Sequence, residues 1–170
     1  MKRTTYGQRI AYLTRAGIIA ALYVALTGIS AMFGLAGTGA IQLRISEALC
    51  ILPIFTAAAV PGLTVGCLLS NIFFSGAWPD IVFGTLATLL GAWGTGCLRR
   101  MVPLAMASPV AANTVIIPFV IRYAYVNVEE SLPFLFVTVG VGEALSVFLF
   151  GTLLYFALRP VRYRIFGEKW

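Results

Sequence analysis

Charge is absent from most of this sequence, and the places where it is absent give the first reading. Residues 16–43, 48–79, 81–98 and 101–121 carry no charged side chain, and 131–158 carry one, Glu143. A helix crossing a bilayer needs about 20 mainly apolar residues, so each run is long enough, or nearly so, to span. The run 48–79 is long for one crossing and short for two. Pro61-Gly62 near its centre favours a turn. Splitting there predicts helices at 45–60 and 62–77, each about 24 Å long at 1.5 Å per residue. The resulting layout has six membrane helices, at about 14–36, 45–60, 62–77, 81–98, 103–125 and 131–158. Outward loops fall at 37–44, 78–80 and 126–130. Pro109 and Pro118 are expected to kink the fifth helix, with neighbours or water satisfying the freed carbonyls. The first run is too long for a signal peptide and is read as a retained span. No repeat or linker interrupts residues 1–170, which read as one all-α membrane domain with basic tails at about 1–13 and 159–170.

Composition agrees. Of 170 residues 60% are hydrophobic and 11% charged, with a mean hydropathy of +0.94. Soluble domains carry about 25% charged residues, so an ordinary soluble enzyme, a disordered chain and a secreted disulfide scaffold are excluded. Charge position then orients the chain. Ten of the twelve Lys and Arg lie in 1–15, at Arg99-Arg100 or in 159–170. Six spans place all ten on one side, whereas five would leave Arg99-Arg100 and the C-terminal tail outside. The positive-inside rule prefers six, in the cell membrane, with both termini cytoplasmic. Basic residues that flank apolar runs are a topology signal rather than a nucleic-acid footprint. There is no histidine, which excludes imidazole acid–base chemistry and histidine metal sites. Cys50, Cys67 and Cys97 stand alone in apolar runs and read as small hydrophobes, so neither a metal nor a cofactor is expected.

Ionisable groups at membrane depth are costly and usually face a cavity or one another. Glu143 sits near the middle of the last span, in Gly140-Val141-Gly142-Glu143, either as a ligand or ion contact or as a hydrogen-bond partner of a neighbouring helix. Glu47 follows Arg44 by three positions, a local ion pair or a second pair of contacts. Asn71 and Asn113 can bind a ligand or join helices. Asp80 can do so too, or simply cap the fourth helix. Gln42 and Arg44 guard the first outer loop, and Trp78 lies at the outer interface. Small residues four apart, Ala16 and Ala20 or Ala21 and Ala25, line the first helix, and Gly62 and Gly66 line the third. Such strips let another helix approach closely in lipid. There is no GxxxxGK[ST] phosphate loop and no carboxylate chain suited to a proton relay, so a power source lies elsewhere.

Four blocks carry a resemblance. They are Ile41-Gln42-Leu43-Arg44-Ile45-Ser46-Glu47-Ala48-Leu49 with Leu52-Pro53; Ala59-Val60-Pro61-Gly62-Leu63 with Gly66-Cys67 and Asn71; the run 80–89; and Gly140-Val141-Gly142-Glu143-Ala144. The chain resembles the QueT family of queuosine-precursor transporters, substrate-binding S-components of energy-coupling-factor (ECF) transporters. The resemblance implies a six-helix S-component bundle and two kinds of partner, a membrane T-component and two cytoplasmic ATPases. It implies a helix 1 contact to the T-component, mapping to Ala16 and Ala20 or, one register on, to Ala21 and Ala25. It also implies a 7-deazaguanine ligand, the aminomethyl precursor or queuine.

Such a ring presents N1–H beside an exocyclic amine for one carboxylate, and its carbonyl asks for an amide donor. An aminomethyl cation asks for a second carboxylate. Glu143 and Glu47 suit the acidic roles in either order, Asn71 and Gln42 the carbonyl, and Trp78 a stacking lid. Other classes stay open: a small proton-coupled multidrug-type exporter switched by Glu143, an S-component for a different vitamin, or a membrane enzyme, the last disfavoured without a nucleophile–base pair.

Overall fold

A computed structural model describes residues 6–34, 44–75, 77–125 and 130–167. All regular structure among them is helical. Helix α1 spans Tyr6–Met32, and a 3₁₀ helix covers Ile45–Ile54. Helix α2, Ala59–Ser70, widens into a π turn at Asn71–Ser75. A second π turn, Asp80–Gly84, leads into α3, Thr85–Cys97, followed by α4, Val102–Ala124. Helix α5, Leu132–Ala144, continues through a π stretch, Leu145–Gly151, into α6, Thr152–Leu158, and a short α7, Arg162–Phe166, ends the fold.

This bundle has an apolar core with polar side chains buried in it, and many large apolar side chains face outward. Ser30, Ser46, Thr56, Thr95 and Ser146 are buried completely, while Ile18, Phe119, Val137 and Leu153 are exposed. Apolar side chains outside and polar groups that are mostly hydrogen-bonded inside suit a hydrocarbon solvent. Tyr6–Met32, Val102–Ala124 and Leu132–Leu158 are long and apolar enough to cross a membrane, whereas Ile45–Ile54 and Ala59–Ser75 are shorter apolar helices. Three of the six spans expected from sequence therefore stand as long apolar helices, at Tyr6–Met32, Val102–Ala124 and Leu132–Leu158.

The second expected helix, 45–60, differs most. It is a 3₁₀ helix that ends at Ile54. At about 2.0 Å rise per residue its ten residues reach about 20 Å, where an α-helix would reach about 15 Å. The chain breaks at 55–58 rather than at Pro61-Gly62. Pro61 lies in the first turn of α2, where its missing N–H would have no partner in any case. The 3₁₀ helix is the hub: it packs on α1, α2, α3, α4, α6 and the stretch Leu145–Gly151. Cys50 and Ile51 at its centre are fully buried.

Around this hub α1 packs on α2, α2 on α3, α3 on α4, and α4 on α5. Glycines set the first contact. A Cβ on Gly62 would lie 2.7 Å from the Ala16 carbonyl oxygen, and one on Gly66 2.7 Å from Tyr23 Cβ. Ala16 and Ala20 therefore face α2, while Ala21 and Ala25 lie on the exposed side of α1. Helix α4 runs on through both prolines. Pro109 cannot donate to the Ala105 carbonyl, and the Thr95 hydroxyl of α3 reaches that oxygen at 3.0 Å instead. Gly91 makes room, since a Cβ there would lie 2.7 Å from Pro109 Cα. At the end of the described chain α7 folds back, and Phe166 stacks on Phe55 at 5.8 Å.

Gly66→Val should lower the melting temperature of the purified protein, because overpacking costs about 1–3 kcal/mol. Gly96→Ala, whose Cβ would meet Pro53 at an ordinary 3.8 Å, should change it little. Equal melting temperatures for the two variants would contradict the glycine-mediated α1–α2 contact.

Candidate functional site

The polar interior opens in a small cleft lined by Arg44, Glu47, Asn113, Ile117, Val139 and Glu143. Three elements meet there. The start of the 3₁₀ helix brings Arg44 and Glu47, α4 brings Asn113 and Ile117, and α5 brings Val139 and Glu143.

Glu47 is buried, with only 2% of its surface exposed. One carboxylate oxygen accepts from the Tyr23 hydroxyl of α1. The other accepts from the Cys50 thiol, one turn along its own helix, at 3.0 Å. The carboxylate is thus held from behind. Glu143, 6% exposed, accepts from the Asn113 side-chain amide. Gly140, one turn before it, admits Thr114 of α4, since a Cβ there would lie 3.3 Å from Thr114 Cγ2. The close approach suggested by the glycine before Glu143 is therefore that of α4, and it is what carries Asn113 within reach. Two residues past Glu143 the helix widens into its π stretch, a distortion frequent at functional sites.

The charges act on one another. Glu143 feels both Glu47 and Arg44, and Arg44 also feels Asp80. The lining sets two acidic side chains against one guanidinium, and a buried carboxylate gains from any donor or cation that reaches it.

Other residues singled out from sequence lie elsewhere. The Asn71 amide donates to the Asp80 carbonyl at 2.8 Å and touches Cys67 Sγ at 3.5 Å. The Asp80 carboxylate accepts from Ser75 and from Tyr125, each at 2.5 Å. Asn71 and Asp80 therefore form a clasp joining the ends of α2, α3 and α4, and neither lines the cleft. Gly84 belongs to it too, because a Cβ there would sit 2.9 Å from the Asn71 amide nitrogen. Trp78 is 69% exposed and is not among the residues that line the cleft. Gln42 lies outside the described residues, as does most of the outward loop 37–44.

Tyr23, Ile117 and Val139 were not singled out by the sequence. The signal for Tyr23 was available: Tyr23, Thr27 and Ser30 stand at i, i+4 and i+7, a polar stripe inside an uncharged span. A buried tyrosine usually finds its hydroxyl a partner.

An apolar exterior around a cleft of charged side chains is the build of a membrane transport protein for small polar solutes. The family model described as QueT transporter matches residues 13–160, and the chain belongs to that family of transporters. Over 76 residues it is 42% identical to the queuosine precursor transporter QueT of Lactococcus lactis subsp. cremoris (strain MG1363). That match covers 43% of this chain and 42% of the relative's own length. No solved structure matches the chain.

Proposed function

We propose that this protein is the ligand-binding subunit of an ATP-driven ECF-type importer and takes up a 7-deazaguanine precursor of queuosine, preferentially the aminomethyl form. The observation that carries the reading is the cleft in which Glu47 and Glu143 stand with Arg44. One carboxylate accepts the ring's N1–H and exocyclic amine, the other pairs with the aminomethyl cation, and Ile117 and Val139 wall the ring plane. Asn113 donates to Glu143 and holds it in place. Asn71 and Asp80 act indirectly, by fixing the outer ends of the helices. The name of the Lactococcus relative supports the choice of ligand.

The long helices, the shorter apolar ones and the distribution of basic residues support six crossings with both termini cytoplasmic. The absence of a phosphate loop from the sequence supports a separate motor, a T-component with two ATPases. Of the two small-residue registers on α1, Ala16 and Ala20 are engaged by Gly62 and Gly66, so Ala21 and Ala25 are the better-exposed pair for that partner.

Titration with 7-aminomethyl-7-deazaguanine tests the site. Losing one charge-assisted hydrogen bond costs about 1.5–3 kcal/mol, so Glu143→Gln should bind about ten- to a hundredfold more weakly. Asn113→Ala should lose less. Unchanged affinity in folded Glu143→Gln protein would make Glu143 structural.

Uptake into proteoliposomes should require the T-component and its ATPases. Ala21→Trp or Ala25→Trp should abolish uptake and leave binding intact. Uptake driven by a proton gradient without any ATPase would contradict the importer reading.

A further inference from the structure

Helix α1 grips the start of the 3₁₀ helix through three polar contacts in antiparallel order. The Tyr23 hydroxyl donates to Glu47, Thr27 Oγ1 lies 2.9 Å from Ser46 Oγ, and Ser30 Oγ accepts from the Ile45 N–H at 3.1 Å. Positions 23, 27 and 30 share one face of a helix, whereas 45, 46 and 47 are consecutive. Tyr23 and Ser46 are buried to within 1% of full coverage, and Thr27 is 5% exposed.

Tyr23 does not line the cleft, and its hydroxyl reaches Glu47 from α1. Gly66 permits this, because any side chain there would displace Tyr23 from its Cβ onward. A phenol carries its hydroxyl on a stiff ring with two rotatable bonds, so once α1 is docked on α2 the donor has one place to go.

We propose that Tyr23 is a positioning residue for substrate binding: through Glu47 it sets where one of the two recognition carboxylates stands, and it ties that position to the register of α1. The inference rests on the reading of the cleft as the ligand site. It assigns the two faces of α1 different tasks, the inner one orienting Glu47 and the outer one, with Ala21 and Ala25, left for a partner. A displacement of α1 along the 3₁₀ helix would withdraw the phenol and release the carboxylate from its ligand-ready position.

The test is a double-mutant cycle in the full-length protein, read as affinity for 7-aminomethyl-7-deazaguanine, with melting temperature followed in parallel. Tyr23→Phe removes one hydroxyl and should weaken binding about tenfold. In a Glu47→Gln background, already weakened, the same substitution should cost nothing further, since there is no carboxylate left to position. A merely structural Tyr23 would lose the same factor in both backgrounds, and that result overturns the proposal. Wild-type affinity in Tyr23→Phe beside weak binding in Glu47→Gln overturns it too, while leaving the cleft as the binding site. Wild-type affinity in Glu47→Gln removes both the proposal and Glu47's place in the site. Should Tyr23→Phe fail to fold, Gly66→Ala, which displaces Tyr23 from its Cβ onward, enters the same cycle with the same outcomes.

Discussion

A carboxylate taken out of water must be given donors and an opposing charge, or the fold loses several kcal/mol for each one. Glu47 and Glu143 impose that demand twice within one bundle, and much of the structure answers it. Tyr23 and Cys50 supply donors to Glu47, Asn113 supplies one to Glu143, and Arg44 brings positive charge to both. The helices carrying those donors must lie close, so small residues appear where they cross: Gly66 beneath Tyr23 and Gly140 beside Thr114. The donor arrangement and the glycine arrangement are one constraint.

The 3₁₀ helix follows from the same need. It stands among α1, α2, α3, α4 and the last long helix, so its residues have protein on every side. Its tighter winding stretches ten residues over about 20 Å while keeping backbone hydrogen bonds inside the segment. Glu47 in its first turn reaches Tyr23 on one helix while lining the cleft opposite Glu143 on another. At the far end of α2, Asn71 and Asp80 satisfy backbone and side-chain groups where two π turns loosen the helices.

Much of this was legible in the sequence. Uncharged runs locate most of the helices, and four residues named for their charge or amide, Arg44, Glu47, Asn113 and Glu143, come together in one cleft. What misled was local. Pro61-Gly62 reads as a turn, yet proline is tolerated in the first turn of a helix, and the break lies at 55–58. Asn71 and Asp80 could be ligand contacts or helix joints and caps by sequence, which shows that a polar group is in the membrane but not its partner; in the structure they bond each other. Glu143 has a helix partner as well, and its place in the cleft shows that the two readings of such a residue are compatible. Tyr23 was passed over because a search for charges skips a residue whose only polar atom is one hydroxyl.

The claim that this cleft selects a cationic 7-deazaguanine is tested most directly by what the protein carries when purified. Ligand released by denaturing the full-length protein, from cells that make the precursor, can be identified by mass spectrometry. The account predicts 7-aminomethyl-7-deazaguanine at near-equimolar yield from the wild type and little from Glu143→Gln. A bound molecule with neither a guanine-like edge nor a cationic group, or equal yields from the two proteins, would contradict it.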